Sequence, residues 1–199
     1  MARPKSDIKQ RIVVAARARF LREGVDGASL RTIAADAKTS VGMVYYYFKT
    51  KDDLFITVVE EVYDALIRDL ELEMGKGATV DDKLRRAFVR IGHMSELEMT
   101  TVRLFVREAL GSTARLERLL PRFMSGHVGL LLGTVGGGVA AGAVRQDIPV
   151  PILMMTSFAM GLAPQIVRRV AGDRIPVGGF DVETLADLSV RVWMEGAKP

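Results

Sequence analysis

The chain has 199 residues, 49% of them hydrophobic and none of them cysteine. It can bury a sizeable core, and disulfides, thiolate metal sites and thiol nucleophiles are excluded. Its net charge is +4, but eleven basic against four acidic residues up to Lys51 give that segment +7 and leave −3 for the rest, so the positive field that favours a polyanion belongs to the first quarter of the chain.

The opening "MARPKSDIKQRIVVAARARF" alternates charge with short apolar steps and has no secretory h-region, which points to an intracellular, cytoplasmic protein. Within it Ser6 is placed to cap a first helix, in which Ile12, Val13, Ala16 and Phe20 recur at helical spacing and which Gly24 and Gly27 end. Ser29 then caps a short helix, "LRTIAADA", with Leu30, Ile33, Ala34 and Ala37 on its buried face. The connection "KTS" leads at once into a third helix, "VGMVYYYF". Two short helices joined so tightly must cross steeply, and the small Ala34 and Ala37 allow the approach, giving a helix-turn-helix.

The aromatic run of the third helix sorts by the same period. Val41, Val44 and Phe48 share the inward face, which leaves Gly42, Met43 and Tyr46 outward with Tyr45 and Tyr47 at the margins. Thr50 with Asp53 forms a capping box that opens a long fourth helix and sets Lys51 in its first turn. A cation is unfavourable at a positive helix terminus, but a lysine beside free N–H groups makes a phosphate site.

The remainder reads as helix throughout. Gly75 and Gly77 close the fourth helix, Thr79 with Asp82 opens another, and Ser95 with Glu98 opens one that ends at Gly111. Thr113 to Leu120 reads as a short helical turn, with Pro121 early in the following helix. The run "GTVGGGVAAG" has no framing strand or partner acid and reads as a frayed helix end, not a dinucleotide loop. Two last helices, Ile152 to Val170 and Asp181 to Glu195, flank a "GDRIPVGG" loop. The uncharged stretch Ile148 to Val167 is broken by three prolines and three polar residues, so no membrane span is expected. An apolar stripe of Met155, Phe158, Ala159, Leu162 and Ile166, with Leu185, Leu188, Val192 and Trp193, is the expected subunit interface. Arg103 and Arg107 lie four apart on one helix face, where they either clamp an anionic ligand or form structural ion pairs. His93 and His127 have no serine or acid at a supporting spacing, so no catalytic site, no metal site and no cofactor is expected.

With its Phe, its glycines, the capped "IA..A" helix and the "YYYF.TK..L" ending, Phe20 to Phe55, "FLREGVDGASLRTIAADAKTSVGMVYYYFKTKDDLF", resembles the DNA-binding domain of the TetR family of transcriptional regulators. "GAVRQDIPV" looks like the family's usual link between its seventh and eighth helices. The resemblance implies an all-α protein of about nine helices, with a helix-turn-helix domain over 1–51 and a helical ligand-binding and dimerisation domain over 52–199. It further implies a homodimer that reads a palindromic operator in double-stranded DNA. On this resemblance Ser29 and Arg31 meet the DNA backbone, Val41, Gly42 and Met43 approach base edges, Tyr45 and Tyr46 contact backbone and groove, and Lys51 grips a phosphate. Two positions depart from the family pattern: Lys38 occupies a turn position often filled by glycine, and Val41 replaces a polar or basic residue. At Lys38 this predicts a left-handed backbone or an altered turn, and at Val41 contact with a thymine methyl in place of a hydrogen bond.

The function so implied is a regulator, a repressor released by a small hydrophobic effector. The effector cavity is expected among Phe105, Phe123, Met124, His127 and Met155, with Arg103 or Arg107 adding a preference for an anion if either points inward. A ligand-independent organiser of the nucleoid is the alternative.

Overall fold

The computed structural model describes residues 5–174 and 179–199, and all regular elements among them are helical. They are α1 (Lys5–Gly27), α2 (Leu30–Asp36), α3 (Val41–Tyr47), α4 (Lys51–Gly75), α5 (Val80–Gly92), α6 (Glu96–Gly111), α7 (Thr113–Phe123), α8 (Gly129–Ala140), α9 (Val150–Ala171) and α10 (Val182–Ala197). A π-helical turn, Met124–Val128, joins α7 to α8. The side chain of Ser6, expected to cap α1, and part of the "GDRIPVGG" loop lie outside the described residues.

The helix starts follow from side chains that satisfy the first orphan N–H groups. Thr79 accepts from Asp82 N, Ser95 and Glu98 close a reciprocal capping box, and Asp181 accepts from Thr184 N at 2.6 Å. Pro121 is not an early helix residue as expected. It stands inside α7, which begins at Thr113 and so already covers the predicted isolated turn. A proline there removes an N–H from the ladder, and the π turn, with Gly126 out of helical geometry, follows three residues on.

The chain forms two compact units: residues up to Ala65 together with Ser95–Pro121, and Leu66–Met94 together with Arg122–Pro199. In the first, Ile12, Ala16 and Phe20 of α1, Ile33 of α2, Val44 of α3, Leu54 and Phe55 of α4, Leu104 of α6 and Leu119 of α7 are buried. Phe20 and Phe55 meet edge to face at 6.2 Å. A division at residue 51 follows charge and motif, whereas compactness groups α6 and α7 with the helix-turn-helix because their apolar faces close its core.

The second unit packs α5, α8, α9 and α10 around Leu84, Phe88, Leu131, Val135, Leu153, Leu185 and Trp193. The glycine run is regular helix as far as Ala140, where α8 ends, and only Ala141 and Gly142 lie past that end. A Cβ at Gly138 would stand 2.5 Å from Val80 Cγ2, so the bare backbone is what lets α8 approach the start of α5. The expected subunit face is corrected at two positions. Leu185 and Trp193 are buried inside the unit, and the Trp193 indole N–H reaches Leu153 O at 3.2 Å and Thr156 Oγ1 at 3.1 Å. The large apolar residues of α9 left open are Ile152, Met155, Met160, Val167 and Val170, and Ala159 of the expected face is exposed beside them. By length and composition alone, 113–140 and Val150–Ala171 could each cross a bilayer, although α9 buries the polar Ser157 and Gln165.

Candidate nucleic-acid interface

The reading head is built around one tight turn. After α2 the backbone of Lys38 enters the left-handed region at φ 52°. There Lys38 N donates to Ala35 O and Thr39 N to Ala34 O, both at 3.0 Å, the paired bonds of a Schellman cap, normally completed by glycine. Arg11 of α1 adds a donor to Ala37 O at 2.7 Å. Ser40 then caps α3 by accepting from Met43 N at 3.2 Å. This cap was not foreseen, though the serine directly before the apolar run was its signal.

The turn aims α3 as its period requires. Val44 and Phe48 are buried while Tyr45 and Tyr46 are 56% and 69% exposed, so two phenol rings stand on the surface. Gly42 is exposed, Met43 half-exposed, and Tyr47 packs edge to face on Tyr46 at 5.1 Å. Val41 is not fully inward: it is half-exposed and forms part of a cleft wall. The reason is that α3 has only seven residues and its first turn projects beyond the small core.

That cleft has a volume of about 550 Å³ and is lined by Ala28, Ser29, Leu30, Arg31, Val41, Tyr45, Lys49, Thr50 and Lys51. Ser29 occupies the N-cap position of α2 without making the expected capping bond, so its hydroxyl is not spent on the helix. Arg31 and Lys49 are exposed. Lys51 Nζ donates to Asp26 O at 2.8 Å and Ala28 O at 3.1 Å, which fixes the ammonium at the cleft and leaves one of its three donors. Thr50 and Asp53 close the predicted capping box at 3.0 and 2.9 Å. Lys49 and Thr50 were absent from the predicted site, although they sit within the same lysine cluster.

A set of ion pairs supports this head from α6 and α7. The break at Gly24 (φ 77°, ψ 166°) takes α1 out of helical register. Val25 N donates to Glu108 Oε1 at 3.3 Å, and Arg107 donates to Leu21 O at 2.9 Å and to Phe20 O. Arg115, 7% exposed, bonds Glu108 Oε2 at 2.8 Å, Asp52 Oδ1 at 2.9 Å and the Asp26 carboxylate. Arg118 pairs with Asp53 at 2.6 Å. The Arg115 guanidinium holds the Asp26 carboxyl below the usual carboxylate range, and Arg118, then Thr50, does the same for Asp53.

The residues proposed for an effector are not all gathered. Arg107 does not form an anion clamp with Arg103: its guanidinium is taken by the α1 carbonyls and by Glu108 at 3.2 Å, while Arg103 is exposed. Phe105 is half-buried in the same unit. In the second unit, His127 lies 5.5 Å from Phe123 and stacks on Phe158 at 5.5 Å and 23°. Burial pushes its imidazole below the ordinary histidine value, which favours the neutral ring. Met124 and Met155 are 51% and 60% exposed.

With this geometry in place, residues 12–58 match the model of the "Bacterial regulatory proteins, tetR family". The HTH-type transcriptional repressor SCO4008 of Streptomyces coelicolor is 29% identical over 184 residues, covering 92% of this chain and 90% of that protein. The HTH-type transcriptional repressor NicS of Pseudomonas putida is 31% identical over 134 residues, covering 65% of this chain and 62% of NicS. Among solved structures, the transcriptional regulator FadR of Bacillus subtilis in complex with stearoyl-CoA aligns with a TM-score of 0.65 at 17% identity, covering 94% of this chain and 98% of FadR. The matched segment spans the turn, the outward tyrosines and the lysine cleft, and the relatives are regulators rather than enzymes: the chain carries the DNA-binding domain of the TetR family of bacterial regulatory proteins.

Proposed function

We propose that the protein is a cytoplasmic repressor that holds a palindromic operator as a homodimer and is released by a small hydrophobic effector. The observation that carries this reading is the juxtaposition on one head of the outward Tyr45 and Tyr46 with the cleft of Ser29, Arg31, Lys49 and Lys51. In it, Ser29, Arg31, Tyr45 and Lys51 fix the head on phosphates, while Val41, Gly42, Met43 and Tyr46 approach bases in the major groove. Position 42 has no side chain, so the DNA can come close to the α3 backbone there.

Support for a dimer comes from the open face of α9, where Ile152, Met155, Met160, Val167 and Val170 would leave a run of apolar surface in water. The neutral stack of Phe123, His127 and Phe158 offers an apolar wall for an effector. Such an effector acts only if it binds the state that cannot span the operator more tightly than the state that can.

The test is retention of genomic fragments by the purified protein, followed by footprinting of the retained DNA. Two protected half-sites about 34 Å apart are expected. Met43→Ala shifts preference at particular bases, and Lys51→Ala weakens all sequences alike. Uniform coating of DNA without half-sites, and no release or thermal shift with any compound of a hydrophobic panel, would make the protein a ligand-independent organiser of the nucleoid instead.

A further inference from the structure

We infer that Arg115 and Glu108, with Arg107 beside them, are positioning residues for the phosphate cleft: a brace from α6 and α7 that fixes Lys51 through the Asp26–Ala28 segment. This rests on the reading that the cleft grips DNA phosphates. Among the described residues Lys51 is aimed by two acceptors, the carbonyls of Asp26 and Ala28. Those carbonyls belong to a stretch that the break at Gly24 has released from the α1 ladder. What holds that stretch is α6 and α7: Glu108 takes the Val25 N–H, Arg107 takes the Leu21 and Phe20 carbonyls, and Arg115 takes the Asp26 carboxylate.

The chemistry suits a fixed mount. Arg115 presents a rigid planar fork, engaged here by three carboxylates at once; of these residues Asp26 also offers its carbonyl to Lys51 Nζ and Asp52 follows Lys51 in the chain. Glu108 is 7% exposed, and its two oxygens divide between the Val25 amide with Arg107 on one side and Arg115 on the other. A buried charge held on all sides has one low-energy arrangement. Displacing α7 by the length of a hydrogen bond would therefore move the Asp26 carbonyl, and Lys51 with it. None of the three brace residues touches the cleft itself.

The experiment measures binding to a short random-sequence duplex over a series of KCl concentrations, at a temperature where circular dichroism shows each variant folded. Asp26→Asn removes an exposed carboxylate and Arg115→Lys keeps the charge but loses the fork. Each is expected to weaken binding about tenfold and to lower the slope of log K against log salt by about one per head. The double variant Asp26→Asn, Lys51→Ala should bind no more weakly than Lys51→Ala alone, a non-additivity that a merely structural role would not produce. Loss in Lys51→Ala with none in the brace variants overturns the brace and leaves the cleft reading standing. No loss in any variant overturns the cleft reading and the brace together. Loss in the brace variants without loss in Lys51→Ala removes the lysine as intermediary and overturns the inference as stated. If Arg115→Lys does not fold, Asp26→Asn carries the test, since its side chain is 84% exposed.

Discussion

Val25 donates its amide N–H to Glu108 Oε1 at 3.3 Å, across 83 positions of chain. Glu108 also receives Arg115 at 2.8 Å, so one carboxylate satisfies a broken helix and a buried guanidinium. Glu108→Ala should leave both without it and destabilise the first unit by about 3 kcal/mol. Glu108→Gln, which keeps a carbonyl acceptor, should cost clearly less. Urea denaturation followed by helix content measures both, and equal losses would show that the charge, not the acceptor, matters.

Lys38 holds a left-handed backbone at φ 52° that a side chain disfavours by about 1 kcal/mol. Lys38→Gly should therefore raise the thermal midpoint, while Lys38→Val should lower it. Ser40→Ala, which removes the α3 cap, should cost about 1 kcal/mol. Lower stability in Lys38→Gly would mean that chain entropy outweighs the relief of strain.

The pH dependence of the second unit should carry a histidine signature. His127 is pushed below its ordinary value of 6.5 by burial alone. The unfolded chain then binds the proton more readily than the folded one, so the stability contributed by the neutral ring is full above about pH 6.5 and declines as pH falls toward the lower folded value. His127→Phe should flatten the unfolding free energy over that window. The depressed carboxylates Asp26, Asp36 and Asp53 act further down: their contribution is present above their unfolded values and is lost as pH falls through the folded ones. A His127→Phe profile identical to that of the parent would remove the ring from this account.

For assembly, the two classes of apolar residue should separate. Met155→Glu, on the open face of α9, should give a folded monomer in sedimentation, whereas Leu185→Glu, buried within its unit, should unfold the protein. A folded dimer from Met155→Glu would place the interface elsewhere.

The helix-turn-helix was legible because its signals are local. Caps at Thr50, Thr79 and Ser95, the period of Val44 and Phe48, and the odd lysine in the turn are all read within a few residues. Long-range choices were not legible in that way. Trp193 and Val192 are neighbours on a similarly apolar helix, and which of them turns inward depends on the Leu153 carbonyl of α9. The glycines of α8 looked like a weak helix because propensity ignores close packing, and the Val80 side chain supplies what Gly138 lacks. Nothing in the spacing of Asp26, Glu108 and Arg115 announces that three charges will meet.

Because α6 and α7 complete the first unit, that unit is discontinuous in the chain, its two segments separated in sequence by residues 66–94, which belong to the second unit. Its closing contacts join positions more than 80 residues apart, such as Val25 with Glu108 and Asp26 with Arg115. Contacts of such sequence separation form late, since the loop must be closed before they contribute. During synthesis the helix-turn-helix therefore emerges with the Val25 amide and the Asp26 carboxylate still awaiting partners on chain not yet made. A fragment ending at Ala65 would be frozen at that stage, so the head is a product of the folded regulator rather than a detachable module.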